Sequence, residues 1–524
     1  MNWSTLQSPA ALPKDINVLH PMLWSLLCDY RKLSDENKLL KKELYGKRSE
    51  KQVVDDDAQT SIEGLFEQLS QAGELLDQNQ TFVEVKVHKR RKKHPGRNAI
   101  PDNIETQIHT IGIPQEEKKC TGGCGNPRVK IGEQRRTIIE RHPARYVKHV
   151  YVMDIYGCPT CKDTIVTADM PHVAPFPRML AGLSLLLFVV TSKYQFHLPL
   201  YRIQRQIFHE SGIWFTRSTM AGWIAQLCVP LRRIYLEMIA ALKAGLCIFS
   251  DDSKIKRAAH SSFMWVYVNG ERTIAIFDYR ESKGSSAPRE FLKGVAPGTY
   301  LMTDCCPSYN DAVSRYKLLQ MACMMHVRRE FVEAADVGSH KQFALRIVRY
   351  IGQLYRIERY ATAKELTPED RHAIRQQYSL PVVEKIKAQL LDPQIVMIPK
   401  CRIRQAINYT LNHWDKIIRF LDRGDLPIDN GVTERVIRDL AIGRKNWIQV
   451  MSDAGGKWTA ILYSIIATCK LNNINPEEYL HDVLMLISIR DKDASVADLT
   501  PIEWLKKRNG GKLPTQKPLY PSKA

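Results

Sequence analysis

Residues Ala244–Ser253, AGLCIFSDDS, and Phe263–Tyr279, FMWVYVNGERTIAIFDY, decide how this chain is read. The first is a short apolar run that closes on two acids, Asp251 and Asp252, and suits a strand buried in a sheet. The second is expected to be a hairpin, because it turns on Asn269-Gly270, the pair that accepts the positive φ angles of a two-residue turn. A helix through APREFLKG (Ala287–Gly294) follows, then a strand in GTYLMTDCCPSYN (Gly298–Asn310) ending at Asp304. After a further helix come the strand KLLQMACMM (Lys317–Met325) and a helix opening at His326.

Three strands, helix, strand, helix, strand is the order of the ribonuclease H fold, a mixed sheet flanked by helices. In that fold the first and fourth strands end side by side, so Asp251 and Asp304 are expected to meet there. Two carboxylates so placed suit a pair of hard divalent ions, Mg2+ or Mn2+, which take oxygen ligands and bridge a phosphate. From 338 to 424 the sequence is helical and charged, as in ERYATAKELTPEDRHAIRQQ (Glu358–Gln377), and reads as an insertion. The fold resumes at DNGVTERVIRDL (Asp429–Leu440), with Asn430 as the expected helix cap and Glu434 in the first turn as the third acid. Arg435, Arg438, Arg444 and Lys445 crowd that acid, and a DNA backbone drawn to it gives them a purpose.

Composition agrees. The chain has 524 residues and a formal net charge of +20, more than solubility requires, which points to a polyanionic partner such as double-stranded DNA. The N-terminus, MNWSTLQSPAALPKD, has no cationic segment followed by an apolar one, so a cytoplasmic, nucleoid-associated protein is expected. The most apolar run, LAGLSLLLFVV (Leu180–Val190), has about half the length of a membrane span and reads as a buried helix. The 12 cysteines follow no regular framework, so free thiols with one metal site are expected rather than disulfides.

The N-terminal part reads as binding apparatus. Leu23, Tyr30, Asn37 and Leu44 take one seam position of a heptad, and Leu26, Leu33 and Leu40 the other: a short leucine zipper, with Asn37 of the type that fixes register in two-stranded coils. KVHKRRKKHPGR (Lys86–Arg97) places seven Lys/Arg in twelve positions without an acid, and Lys89, Arg90, Arg91, Lys92, Lys93 and Arg97 are expected to contact DNA. Cys120 and Cys124, then Cys158 and Cys161, form two close pairs that suit one tetrahedral structural Zn2+. In LPLYRIQRQIFHESGIWFTRSTMAGWIAQL (Leu198–Leu227), an apolar helix, a Ser211-Gly212 turn and a second helix capped by Thr216 or Ser218 resemble a helix-turn-helix, with Arg217 toward DNA.

With these residues in view, DNGVTERVIRDLAIGRKNW followed by SDAGGKWTAILYSIIATCKLNNINPEEYL closely resembles the C-terminal signature of the insertion sequence 66 family of bacterial DDE transposases. The likeness runs over nearly the whole chain, through LYGKRSEK, KHPGRNAIPDNI, the cysteine pairs, the helix-turn-helix segment and HVRREF, whose His326, Arg328 and Arg329 are expected at DNA. It implies Asp251, from the family's Asp-Glu-Thr triplet, with Asp252 as the alternative; Asp304, from a Thr-Asp-Gly-Tyr motif here altered to TDCCPSY; and Glu434, from Asp-Asn-x-x-x-Glu-Arg. The resemblance implies hydrolysis at the element ends with two divalent ions, and attack of the freed 3′-hydroxyls on target DNA.

The expected organisation is a leucine-zipper coiled coil (1–50), a flexible linker with the basic segment (51–115), a four-cysteine zinc module (116–175) and a helical DNA-binding region (176–243). Two parts of the core (244–337 and 425–485) then flank the helical insertion (338–424), and a tail (486–524) follows. Partners expected are element-end and target DNA, a second copy of the chain, and small accessory proteins. A DNA-binding regulator on an inactive core, or a plain metal-dependent nuclease, are the alternatives; three acids on the predicted elements argue against the first, the N-terminal apparatus against the second.

Overall fold

The structure, a computed structural model, describes residues 15–45, 146–147, 155–157, 165–167, 179–257, 260–337, 340–393, 401–491 and 493–510. The chain divides into two units, one of Met1–Leu75 with Tyr151–Leu519, the other of Leu76–Val150 with Tyr520–Ala524, and every element below belongs to the first. Lys89 to Arg97, Cys120, Cys124, Cys158 and Cys161 lie outside the described residues.

A six-stranded mixed sheet forms the centre of this unit. Its strands are β3 (Cys247–Arg257), β4 (His260–Asn269), β5 (Ala275–Arg280), β6 (Tyr300–Thr303), β7 (Leu319–Ala322) and the two-residue β8 (Gln449–Val450). The earlier β1 (Ile155–Gly157) and β2 (Ile165–Thr167) pair separately, antiparallel, with Ile155 opposite Thr167. In the main sheet the order is β5-β4-β3-β6-β7, and β8 pairs with the far end of β3. β3, β4 and β5 are antiparallel neighbours, while β6 joins β3 in parallel and β7 joins β6 in parallel.

β3 does not stop at Asp251 and Asp252 as its apolar run predicts; it runs 11 residues, to Arg257. Cys247 to Ser250 are all buried, whereas Ser253 to Lys256 alternate between buried and exposed. The polar second half stays in register because β4 continues beside it to the Arg257–His260 pair, and β8 joins on its other side.

Helices cover the sheet. α2 (Leu183–Tyr194), which contains most of the apolar run, is largely buried, and among the described residues no helix is long and apolar enough to cross a membrane. α3 (Leu200–Ser211) ends on Gly212, whose φ of 73° is the left-handed conformation glycine adopts freely. α4 (Arg217–Lys243) is capped by Thr216, whose side chain accepts from the Thr219 amide. This second helix continues past Leu227 and runs for 27 residues, because buried positions recur at Met220, Trp223, Leu227, Leu231, Ile234 and Met238. Tyr235, far along it, donates to the Phe277 carbonyl of β5, so α4 is also a core helix.

α5 (Ser286–Phe291) and α6 (Asn310–Tyr316) flank β6, and α7 (Met324–Val337) follows β7. The insertion is helical: α8 (Lys341–Ala363), α9 (Pro368–Ile374), one π turn at Arg375–Ser379, α10 (Leu380–Leu390), α11 (Arg402–Asn412) and α12 (Trp414–Ile418). The chain then returns to the sheet with α13 (Gly431–Trp447) and α14 (Asp453–Leu471), before α15 (Pro476–Ser488) and α16 (Pro501–Arg508). At the N-terminal end, α1 (Ile16–Tyr45) packs on α7.

β5 is an edge strand, and α14 closes that edge with side chains spaced one helical turn apart. The Phe277 amide donates to Ser464 Oγ at 2.8 Å and the Ala275 amide to Thr468 Oγ1 at 3.0 Å, while Asn472 Nδ2 donates to the Thr273 carbonyl at 2.7 Å. The hydroxyls take the place a further strand would fill, so the edge is covered rather than left as a template for pairing.

Candidate active site

The last β3–β6 pair is Phe249 opposite Met302, and two residues further along each strand stand Asp251 and Asp304. Parallel pairing therefore brings these acids level at the end of β6, where the chain leaves the sheet. Glu434 arrives from the first turn of α13, which packs on β3.

Alternation along β3 sends Asp251 and Asp252 to opposite faces. Asp252 is occupied: Lys283 Nζ lies 2.8 Å from its carboxylate. Asp251 shares a face with Ser253, and Ser253 Oγ accepts from Arg444 of α13 at 2.8 Å, so this face carries the Glu434 helix. Burial pushes the Asp251 carboxyl up to about 7; the Asp252 amide opposes that, and the charges of Asp304, Asp252 and Glu434 add to it. A carboxyl disfavoured as an anion by burial and by neighbouring acids gains from a cation placed beside it.

Each acid is held by a local contact. Asp251 Oδ1 accepts from the Asp252 amide at 2.8 Å, and Asp304 Oδ1 accepts from the Cys306 amide at 2.9 Å. Glu434 Oε1 faces Arg329 Nη2 of α7 at 3.4 Å. Among the described residues no three His, Cys, Asp or Glu side chains are gathered closely enough to form a ready-made metal cluster. The oxygens present, all carboxylate, nevertheless fit the donor preference of Mg2+ or Mn2+.

Cys305 and Cys306 stand where the resembled motif carries Gly-Tyr. Cys305 has φ 64°, the left-handed region, which explains why glycine serves well at that position. Its thiol is pushed up to about 11, chiefly by burial.

The basic residues have different fates. Arg435, Arg438 and Lys445 are exposed on α13 and just before its end, as a surface for phosphate requires, and Arg217 is exposed at the first position of α4. Arg444 is committed to the fold: besides Ser253 it donates to the Lys254 carbonyl, pinning α13 to the second half of β3. His326 feels the charges of the acids: burial and then Arg329 lower its pKa, while Glu434 and Asp304 oppose this. Arg328 is half-buried on the same helix.

Three features escaped the sequence reading. Asn430 does not cap α13 with its side chain; Nδ2 reaches across to the Ser250 carbonyl at 3.0 Å. Lys283 is the partner of Asp252, although it sits in a polar loop, RESKGSS, without any pattern of its own. Tyr309, in the quoted TDCCPSY, bonds Ser250 through its hydroxyl at 3.0 Å. Only its aromatic character within a polar turn could have drawn notice.

Comparison with known proteins gives one consistent result. Residues 178–458 match the family model described as Transposase IS66 family, residues 464–502 match the IS66 C-terminal element, and residues 32–106 match a model described as Transposase C of IS166 homeodomain. Among relatives, the uncharacterized protein y4hP of Sinorhizobium fredii is 28% identical over 496 residues, covering 89% of this chain and 87% of its own. The uncharacterized protein y4jD of the same organism is 28% identical over 516 residues, covering 94% of this chain and 97% of its own.

Proposed function

Since the chain belongs to the IS66 transposase family, we propose that it cuts and joins DNA at the ends of a bacterial insertion sequence, with Asp251, Asp304 and Glu434 as its metal-holding acids. The observation that carries this reading is the register that sets Asp251 level with Asp304 at the end of β6, under the helix that presents Glu434. The strand order β5-β4-β3-β6-β7, three antiparallel strands extended by two parallel ones, supports reading the core as ribonuclease H-like.

The three carboxylates fit a pair of Mg2+ or Mn2+ ions, which when bound supply charge neutralisation and Lewis acidity at the attacking and leaving oxygens. The chain's own work is to place the DNA. Arg435, Arg438 and Lys445 hold the backbone beside Glu434, and Arg329 exchanges its contact with Glu434 for a phosphate oxygen as the site fills. Arg217, Arg328, His326 and the segment Lys89 to Arg97 extend the contact along the duplex. Cys120, Cys124, Cys158 and Cys161 hold one structural Zn2+, tested by metal analysis of protein purified without chelator; well under half an equivalent would count against it. This activity belongs to the cytoplasm and its nucleoid, with small accessory proteins as further partners.

Two copies act together through α1. Leu23, Leu26, Tyr30 and Leu33 of the heptad seam are 53%, 48%, 66% and 64% exposed, whereas Cys28 and Asp35, one heptad apart on another face, are buried against the chain's own core. An apolar stripe left open while the opposite face is docked is the arrangement a second α1 would cover.

The direct test is strand cleavage on duplexes carrying the inverted repeats that flank the gene. Asp251→Ala, Asp304→Ala and Glu434→Ala should each abolish cleavage while binding is kept; an Ala variant with full activity removes that residue from the set. Binding without cleavage by the wild-type protein under Mg2+ and Mn2+ would favour a DNA-binding regulator instead.

A further inference from the structure

The three acids stand on separate segments, and one buried group of side chains touches all three. Ser250 precedes Asp251 on β3, Tyr309 follows Asp304 by one short turn, and Asn430 precedes Glu434 by one helical turn. Tyr309 Oη and Ser250 Oγ are 3.0 Å apart. Asn430 Nδ2 donates to the Ser250 carbonyl at 3.0 Å, and the Asn430 backbone amide donates to Cys323 Sγ, just beyond β7, at 3.2 Å. Ser250 and Asn430 are 0% exposed and Tyr309 1%. Trp265 of β4 holds the tyrosine ring edge-on, with centroids 5.4 Å apart.

This geometry ties β3 to segments that its pairing with β4 does not reach. β4 pairs with β3 from Ile248 to Arg257, but the last β3–β6 pair is Phe249–Met302, one residue short of Ser250, so no ladder joins β3 and β6 where Asp251 and Asp304 stand. The Asn430 carbonyl accepts from the Thr433 and Glu434 amides of its own helix, but its side chain makes no capping bond there. The contacts to Ser250 link β3 to the segments of Asp304 and Glu434 beyond the end of the β3–β6 ladder, with Asn430 Oδ1 left without a hydrogen-bond partner among the described residues. Resting on the reading of Asp251, Asp304 and Glu434 as metal-holding acids, we propose that Ser250, Tyr309 and Asn430 are positioning residues: a buried staple that sets the spacing of the three acids and hence the strength of divalent-ion binding. None of the three touches the reacting atoms; they act through the backbone of the acids beside them.

The test uses full-length protein and Mn2+ alone, with binding read by electron paramagnetic resonance and folding followed separately by circular dichroism. Tyr309→Phe and Ser250→Ala remove the same hydroxyl contact by two routes. Each should weaken Mn2+ binding about 10- to 100-fold, the range for residues that orient metal ligands. The double variant should be no worse than the weaker single, since both changes delete one bond. Asn430→Ala should weaken binding at least as much, and its measurement is made at a temperature where the variant is folded. Wild-type Mn2+ affinity in folded Tyr309→Phe, Ser250→Ala and Asn430→Ala overturns the staple, as does a lowered melting temperature with affinity unchanged. Asp251→Ala separates the two ways of failing: if it binds Mn2+ like wild type, the acid assignment itself is wrong, whereas if it loses Mn2+ while the other three keep it, only the staple is wrong.

Discussion

Adjacent identical residues have unequal roles here because a strand alternates. Asp251 faces the helix of Glu434, and Asp252 faces the other way and is neutralised by Lys283. Asp252→Ala should therefore retain measurable strand cleavage where Asp251→Ala retains none, and the reverse ranking would exchange their roles. Cys305 illustrates a conformational constraint instead. At φ 64° it bears the strain that an L side chain meets in the left-handed region, about 1–2 kcal/mol. Cys305→Gly should be close to neutral, since relief of strain offsets a freer unfolded chain and a lost buried thiol. Cys305→Val, β-branched at the same φ, should cost about 1–2 kcal/mol in urea denaturation; equal stability of the two variants would count against this account. The choice between Asp251 and Asp252 was open in the sequence because DDS is the same string whichever face is which.

Among the elements, α14 and the insertion each do work that no local pattern announces. Ser464 and Thr468 satisfy amides of β5 that no strand reaches, and both amides are buried. Ser464→Ala should leave the Phe277 amide unpaired, lowering stability by about 1–3 kcal/mol and speeding hydrogen exchange at Phe277 specifically; unchanged exchange there would show that the hydroxyl is not its partner. In the insertion, Arg375 is wholly buried on the π turn. Its Nε and Nη2 reach the two Glu358 oxygens at 2.7 and 2.8 Å, and Nη1 and Nη2 donate to the Phe420 and Leu426 carbonyls at 2.7 and 2.9 Å. It thus ties the inserted helices to the segment that leads into α13. Arg375→Met, which leaves buried Glu358 with only its 3.6 Å contact to Arg371, should cost about 3–5 kcal/mol in urea denaturation, and adding Glu358→Leu should recover part of that loss. From its sequence the stretch around Arg375 reads only as charged helix, since nothing local distinguishes a buried arginine from a solvated one.

At the scale of the whole molecule, the proposed association through α1 is linked by contacts to the site. Asp35 Oδ2 accepts from the Arg402 amide at the start of α11 at 3.3 Å, and Arg402 in turn pairs with Glu330 and Glu333 of α7, the helix that carries His326 and Arg329. The seam stays open on the opposite side. Leu33→Pro, which breaks the helix at a cost of about 3 kcal/mol, should shift the protein toward monomer in sedimentation and impair paired-end cleavage while Mn2+ binding is kept. Identical sedimentation and paired-end cutting would mean that association comes from elsewhere. The sequence by itself determined the order of strands and helices, the heptad of α1, and the positions of Asp304 and Glu434. Apolar periodicity, Asn-Gly and heptad spacing are local signals, and the motif residues lie in recognisable strings. Only the tertiary structure decided that β3 continues to Arg257, that Asp251 rather than Asp252 faces Glu434, that Asn430 reaches Ser250 instead of capping its helix, and that Arg444 serves the fold. Each of these depends on a partner far away in the chain, some 180 residues for Asn430 and Ser250, and a hydrogen bond across that distance leaves no periodicity to read.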